Sequence, residues 1–107
     1  MSEFLSVYVT AGSIDQAERI GAAVVEERLA ACANVLPGVR SIYRWEGSVE
    51  RDDEVALILK TRASLFDALQ ARVTELHDYD VPCIVAWPVE HIADGYRRWL
   101  SKALDAD

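Results

Sequence analysis

Hydrophobic and polar positions alternate through the middle of the chain, from Ser41 to Glu50. Tyr43, Trp45, Gly47 and Val49 fall on one side, and Ile42, Arg44, Glu46, Ser48 and Glu50 on the other. A strand with one buried face needs this period of two. A return strand follows from Glu54, with Val55, Leu57 and Leu59 on one face and Ala56, Ile58 and Lys60 on the other. Being nearly apolar on both sides, it belongs in the centre of a sheet. Cys32 to Thr61 therefore reads as one long β-hairpin. The turn is expected at Arg51, Asp52 and Asp53, where aspartate can hydrogen-bond its own backbone. Gly47, a competing turn position, is kept inside the strand at a bulge because the alternation runs through it. Leu36-Pro37-Gly38 interrupts the first strand, since proline cannot donate to a ladder, and predicts an edge or a bulge there.

The flanking segments follow helical or strand spacing. Phe4 to Thr10 is a strand. Ser13 caps a helix, with Gln16 completing a capping-box pattern, and Ala17, Ile20 and Val24 form its apolar stripe as far as Leu29 to Ala31. Ser64 and Asp67 repeat the capping logic for a second helix carrying Phe66, Leu69, Val73 and Leu76. Cys83 to Val89 is a short apolar strand. A last helix spans Ile92 to Leu104, with Ile92, Tyr96, Trp99 and Leu100 expected inward. Two strand-helix-strand units joined by a hairpin make a ferredoxin-like α+β sandwich, here with an extra C-terminal helix.

The hairpin's length carries a further inference. About eleven residues in its first strand span roughly 36 Å, whereas a domain of this size has a radius of gyration near 13 Å. The hairpin should overhang its own domain and expose Tyr43, Trp45 and Val49. A large apolar patch of that kind marks an interface, so an oligomer is expected through these residues.

The 107 residues suit one domain, residues 1–107. A net charge of -7 argues against nucleic acid as a partner. No apolar run is long enough to span a membrane, so no membrane partner is expected. The amino-terminal MSEFLSVYVTAG lacks the basic start of a signal peptide, and only two cysteines occur. Together these suggest a reducing, cytoplasmic location without disulfides.

Candidate chemistry concentrates in His77-Asp78-Tyr79-Asp80-Val81-Pro82-Cys83, where imidazole, carboxylates, phenol and thiol meet within seven residues. That mixture suits metal binding or proton transfer. Lys60 stands in an otherwise apolar strand and calls for an acidic partner such as Asp80 or Glu46. Cys32, among small residues, reads as a buried packing residue. The acids from Glu50 to Glu54 do not follow an EF-hand's ligand spacing. No glycine-rich phosphate loop, nucleophile elbow or paired CxxC occurs, so an enzyme is not expected.

The runs ERLAACANVLPGVRSIYRWEG, EVALILKT and HDYDVPCI together resemble the CutA family of divalent-cation tolerance proteins, over essentially the whole chain. The resemblance implies a ferredoxin-like protomer in a tight homotrimer with long strands exchanged between subunits. It also implies association with copper and other divalent metals, and a shape related to the signalling proteins called PII. The family's usual His-Pro-Tyr-Glu-Val-Pro-Glu is here His77 to Cys83, with Asp78 replacing the proline and Cys83 the second glutamate. Copper-handling members can carry a strand-one cysteine and adjacent histidines where this chain has Val9, Leu76 and His77. The expected metal ligands are His77 and Cys83, supported by Asp80. Lys60, Tyr79 and Glu46 are expected at an inter-subunit cleft. Two functions follow: a non-enzymatic, copper-associated tolerance protein, or a PII-like sensor taking a small ligand in that cleft.

Overall fold

The computed structural model describes residues 2–105. Strands β1 (Phe4–Ala11), β2 (Cys32–Trp45), β3 (Ser48–Arg62) and β4 (Ile84–Pro88) alternate with helices α1 (Ile14–Glu26), α2 (Phe66–Leu76) and α3 (Asp94–Leu104). The sheet order is β2-β3-β1-β4, and every neighbouring pair is antiparallel. In β1-α1-β2 and in β3-α2-β4 the two strands are parallel, with another strand between them. This is the ferredoxin-like arrangement expected from the sequence.

One face of the sheet carries the core. Val7 and Val9 of β1 pair with Leu59 and Leu57 of β3, and all four are fully buried against Ile20 and Val24 of α1 and Leu69 and Val73 of α2. Each such side chain contributes about 1.5–3 kcal/mol by leaving water. The helix exits are tied to the same strands. Thr61 is wholly buried and its hydroxyl donates to the Leu29 carbonyl at 2.6 Å, just beyond α1.

The other sheet face is covered by α3 only at its Phe4 end, where Leu100 and Leu104 pack, and is open elsewhere. Val85 and Trp87 of β4 are 46 % and 52 % exposed there, and Tyr8 meets Trp87 edge-on at 5.7 Å. Leu36 of β2 adds to the same uncovered apolar surface.

The hairpin is as long as expected, and the molecule measures 45 × 25 × 23 Å. Its radius of gyration, 14.4 Å, exceeds the roughly 13 Å of a compact chain of this length. The turn, however, lies at Glu46 and Gly47. Both have positive φ, 48° and 84°, the conformation that a two-residue hairpin turn requires. Arg51, Asp52 and Asp53 are instead strand residues opposite Ile42, Ser41 and Arg40. The displaced turn also corrects the faces. Val49 pairs with Arg44, so it lies opposite the face of Tyr43 and Trp45 and does not join them. Glu50 and Asp52 share the Tyr43 face. The expected break at Pro37-Gly38 is present as a register shift between Leu36 and Val39, with Gly38 at φ 90°.

Other boundaries shift for local reasons. Ser13 accepts the Gln16 amide at 3.1 Å, but Gln16 does not return the bond, because its side chain accepts the Asp78 amide at 2.7 Å. α1 stops at Glu26, and Arg28 adopts φ 60° as the chain leaves the helix. Ser64 caps nothing and lies in a 3-10 turn, Ala63–Leu65, ahead of α2. In α3 the buried residues are Leu100 and Leu104, packed on Phe4 and Ala31. Tyr96 and Trp99 lie on the helix's outer flank, 41 % and 48 % exposed, contrary to expectation.

At Gly21 a Cβ would stand 2.9 Å from the Ala33 Cβ, closer than carbon atoms pack. Gly21→Ala gains about 1 kcal/mol of helix propensity, but overpacking costs about 1–3 kcal/mol. The expected result is a lower urea midpoint; a raised midpoint would show that α1 moves off the sheet freely.

Candidate functional site

The chain between α2 and β4 is held by a buried imidazole. His77, 9 % exposed, ends α2. Its Nδ1 accepts the Tyr79 amide at 3.0 Å, so the ring proton sits on Nε2, which donates to the Thr10 carbonyl at 2.8 Å. The Asp78 amide donates to Gln16, while its carboxylate meets Arg19 at 3.9 Å in an exposed pair that adds little. The loop is thereby fixed to the end of β1 and the start of α1.

This fixing aims Tyr79 at the hairpin. Its hydroxyl donates to Glu54 Oε2 of β3 at 2.9 Å, and a Cβ on Gly12 would lie 3.4 Å from that hydroxyl. Across the hairpin the Tyr43 hydroxyl donates to Asp52. Between hairpin and loop lies an open groove of about 630 Å³. Tyr43 and Trp45 form its hairpin wall, Tyr79, Asp80 and Cys83 its loop wall, and Tyr8, Thr10 and Glu54 its floor.

The electrostatics of the groove favour protonated donors. Desolvation, the bond to Glu54 and the charge of Glu54 push the Tyr79 phenol up to about 12. The bond to Asp52, then desolvation and nearby carboxylates, push Tyr43 to about 12. Partial desolvation, then the charge of Glu54, raises the Cys83 thiol, with a hydrogen bond to Thr10 acting the other way.

The groove brings together Tyr79, Asp80, Cys83, Tyr43 and Trp45, all singled out in the sequence. It excludes His77, whose two nitrogens are both committed to the backbone. The expected ligand set of His77, Asp80 and Cys83 is therefore not assembled, and among the described residues no three His, Cys, Asp or Glu side chains converge on a point that could hold a metal. The residues of one chain do not fit a resident ion. Lys60 is also elsewhere. It lies six residues beyond Glu54, about 20 Å along the strand, and its Nζ donates to Asn34 at 3.5 Å. The expected Lys60 pairing with Asp80 or Glu46 is absent, and Glu46 sits in the hairpin turn. Cys32 is half-buried and shares a 3.5 Å contact with the Tyr96 hydroxyl. In the sequence Glu54 counts only among the hairpin acids, and Thr10 and Tyr8 are not singled out. Counting two residues at a time from a turn at Glu46-Gly47 puts Glu54 on the Tyr43 face and would have found it.

Because the neutral Tyr79 phenol is favoured in the fold, its stabilisation is fully present below pH ~10 and is lost as pH rises through about 12. Ultraviolet titration should show tyrosines ionising late, with one fewer in Tyr79→Phe, and the variant's stability should depend less on pH in that window. An unchanged late phase would remove the Tyr79–Glu54 bond from the account.

Comparison with known proteins places this geometry. The family model described as CutA1 divalent ion tolerance protein matches residues 5–103. The chain is 50 % identical over 94 residues to the divalent-cation tolerance protein CutA of Thermus thermophilus, covering 88 % of each. It is 42 % identical over 97 residues to the chloroplastic protein CutA of Arabidopsis thaliana, covering 91 % of this chain but 53 % of that one. The chain thus spans about half the length of that plant relative. The crystal structure of CutA from Xylella fastidiosa superposes with a TM-score of 0.93 at 36 % identity, covering 97 % of this chain and 100 % of that one. With the family model spanning nearly the whole fold, groove and loop included, the chain belongs to the CutA1 divalent ion tolerance family.

Proposed function

We propose that this chain acts in divalent-cation tolerance as a non-enzymatic homotrimer. The observation that carries the reading is the uncovered apolar sheet face of Tyr8, Leu36, Val85 and Trp87, beside a hairpin that overhangs the domain. Surfaces of that kind are buried against another chain. Three copies, and contributions from Tyr43, Trp45 and Val49 along the hairpin, are the arrangement we assign. Copper and other divalent ions enter as what the protein responds to; one chain offers Cys83 and Asp80, and further donors would come from a neighbouring subunit. The non-enzymatic reading is supported by His77, which is tied to the backbone and not free to act as a base for Cys83.

A second reading is favoured by the groove. Its 630 Å³ is within the range of small-molecule sites, roughly 300–1,000 Å³. A PII-like sensor would take its ligand there, in a cleft completed by a second subunit.

Sedimentation equilibrium should give three times the 11.9 kDa chain mass, and Trp87→Glu should shift it toward monomer. A wild-type monomer at micromolar concentration would overturn the trimer. His77→Ala should lose about 2 kcal/mol or more of stability through two lost hydrogen bonds and a cavity, while calorimetric copper and zinc uptake falls less than in Cys83→Ser. Loss of uptake with unchanged stability would return His77 to the ligand set.

A further inference from the structure

We propose that the uncovered sheet face joins copies of this chain head to tail, with Lys60 of one copy reaching into the groove of the next and pairing with Glu54 there. The proposal rests on the trimer reading above and names the polar contact that sets how the copies meet. Three observations carry it. First, both residues present themselves to the same face. They lie an even number of residues apart on β3, on the side where Lys60 stands opposite Ser6 and Ile58 opposite Tyr8. Glu54 and Tyr8 both line the groove floor.

Second, each charge lacks its counterpart within one chain. Lys60 is half-buried in an apolar strand, and only Asn34 accepts from it, at 3.5 Å. Its cross-strand neighbours, Ser6 and Cys32, carry no acid, and neither does Trp87 beyond Ser6. Glu54 is half-buried as well. It accepts only the neutral Tyr79 phenol and pairs with no lysine or arginine among the described residues. Buried ions call for a partner. About 20 Å of strand separates the two, beyond the reach of their side chains, so they cannot meet within one copy.

Third, the face itself is the one a second copy covers. Tyr8, Val85 and Trp87 stand on it, and covering them takes water from Lys60 and Glu54 too. An unmet charge would then oppose assembly. Each chain carries a net charge of -7, and Glu50, Asp52 and Glu54 line the groove side of the hairpin. Hairpin against hairpin would set acid on acid. Hairpin against the Lys60 end of the next copy sets acid on base, and electrostatic complementarity of this kind fixes the register of an interface. A ring of three closed in this sense gives every Lys60 one Glu54.

A double-substitution cycle tests the pair. Lys60→Met keeps the stem without the charge, and Glu54→Gln keeps the shape and the acceptor for Tyr79. Sedimentation equilibrium follows the wild type, both single variants and the double variant. Each single substitution should weaken assembly about tenfold or more, because the other charge is left buried and unmet. The double variant should be no weaker than the weaker single one. Carbodiimide cross-linking, which joins an amine directly to a carboxylate, then locates the contact. The sequence holds only two lysines, Lys60 and Lys102. In a mixture of isotopically heavy and light chains, Lys60 of one should be found joined to Glu54 of the other. Additive losses, or a trimer that neither substitution weakens, would overturn the pair while leaving the trimer, and would assign Lys60 to a dissolved anion or to the acid of another protein. A Lys60 link to Glu50 or Asp52 would overturn Glu54 as the acceptor. A wild-type monomer would remove the interface itself.

Discussion

Where the hairpin turns determines nearly everything that follows in this molecule. Side chains on paired strands alternate, so a register slip of one residue, as between a two-residue and a three-residue turn, sends the whole return strand to the other face. With Glu46 and Gly47 at the turn, Tyr43 stands opposite Glu50 and Trp45 opposite Ser48. Glu54 then comes to the Tyr79 hydroxyl, and Val55, Leu57 and Leu59 go to the core. Gly47 at φ 84° holds this geometry without a Cβ penalty, while Glu46 accepts the left-handed conformation as the first turn residue. Core and groove thus share one register, and neither can be changed without the other.

The second fixed point is His77. The Tyr79 amide just beyond α2 and the Thr10 carbonyl near the end of β1 both need partners, and the imidazole supplies one to each. Buried polar groups are costly when unpaired, so both bonds are strongly held. The loop can then present Tyr79, Asp80 and Cys83 on a rigid base. What looks in sequence like a ligand is here a positioning residue.

Much of this was legible in the chain itself. The helical stripes of Ile20 and Val24, or Leu69 and Val73, name the core directly, and Pro37-Gly38 announces its bulge. The family motifs identify the fold and the loop that matters. The turn was not legible, because Glu-Gly and Arg-Asp-Asp both satisfy turn chemistry. Reading the alternation straight through Gly47 also placed Val49 with Tyr43, since a two-residue turn reverses the parity. Residue type marked His77 as reactive, but sequence does not say which lone pairs are already used. Tyr96 and Trp99 misled for a related reason: the small apolar cluster of Phe4, Ala31, Leu100 and Leu104 fills the inner side of α3 and leaves the larger rings outside.

The hairpin register is therefore the claim to test first. Cross-strand nuclear Overhauser contacts measure it directly in solution. The account predicts contacts between Trp45 and Ser48 and between Tyr43 and Glu50. Contacts of Glu50 with Glu54 and of Val49 with Val55 would instead put the turn at Arg51 to Asp53, and would contradict the groove along with it.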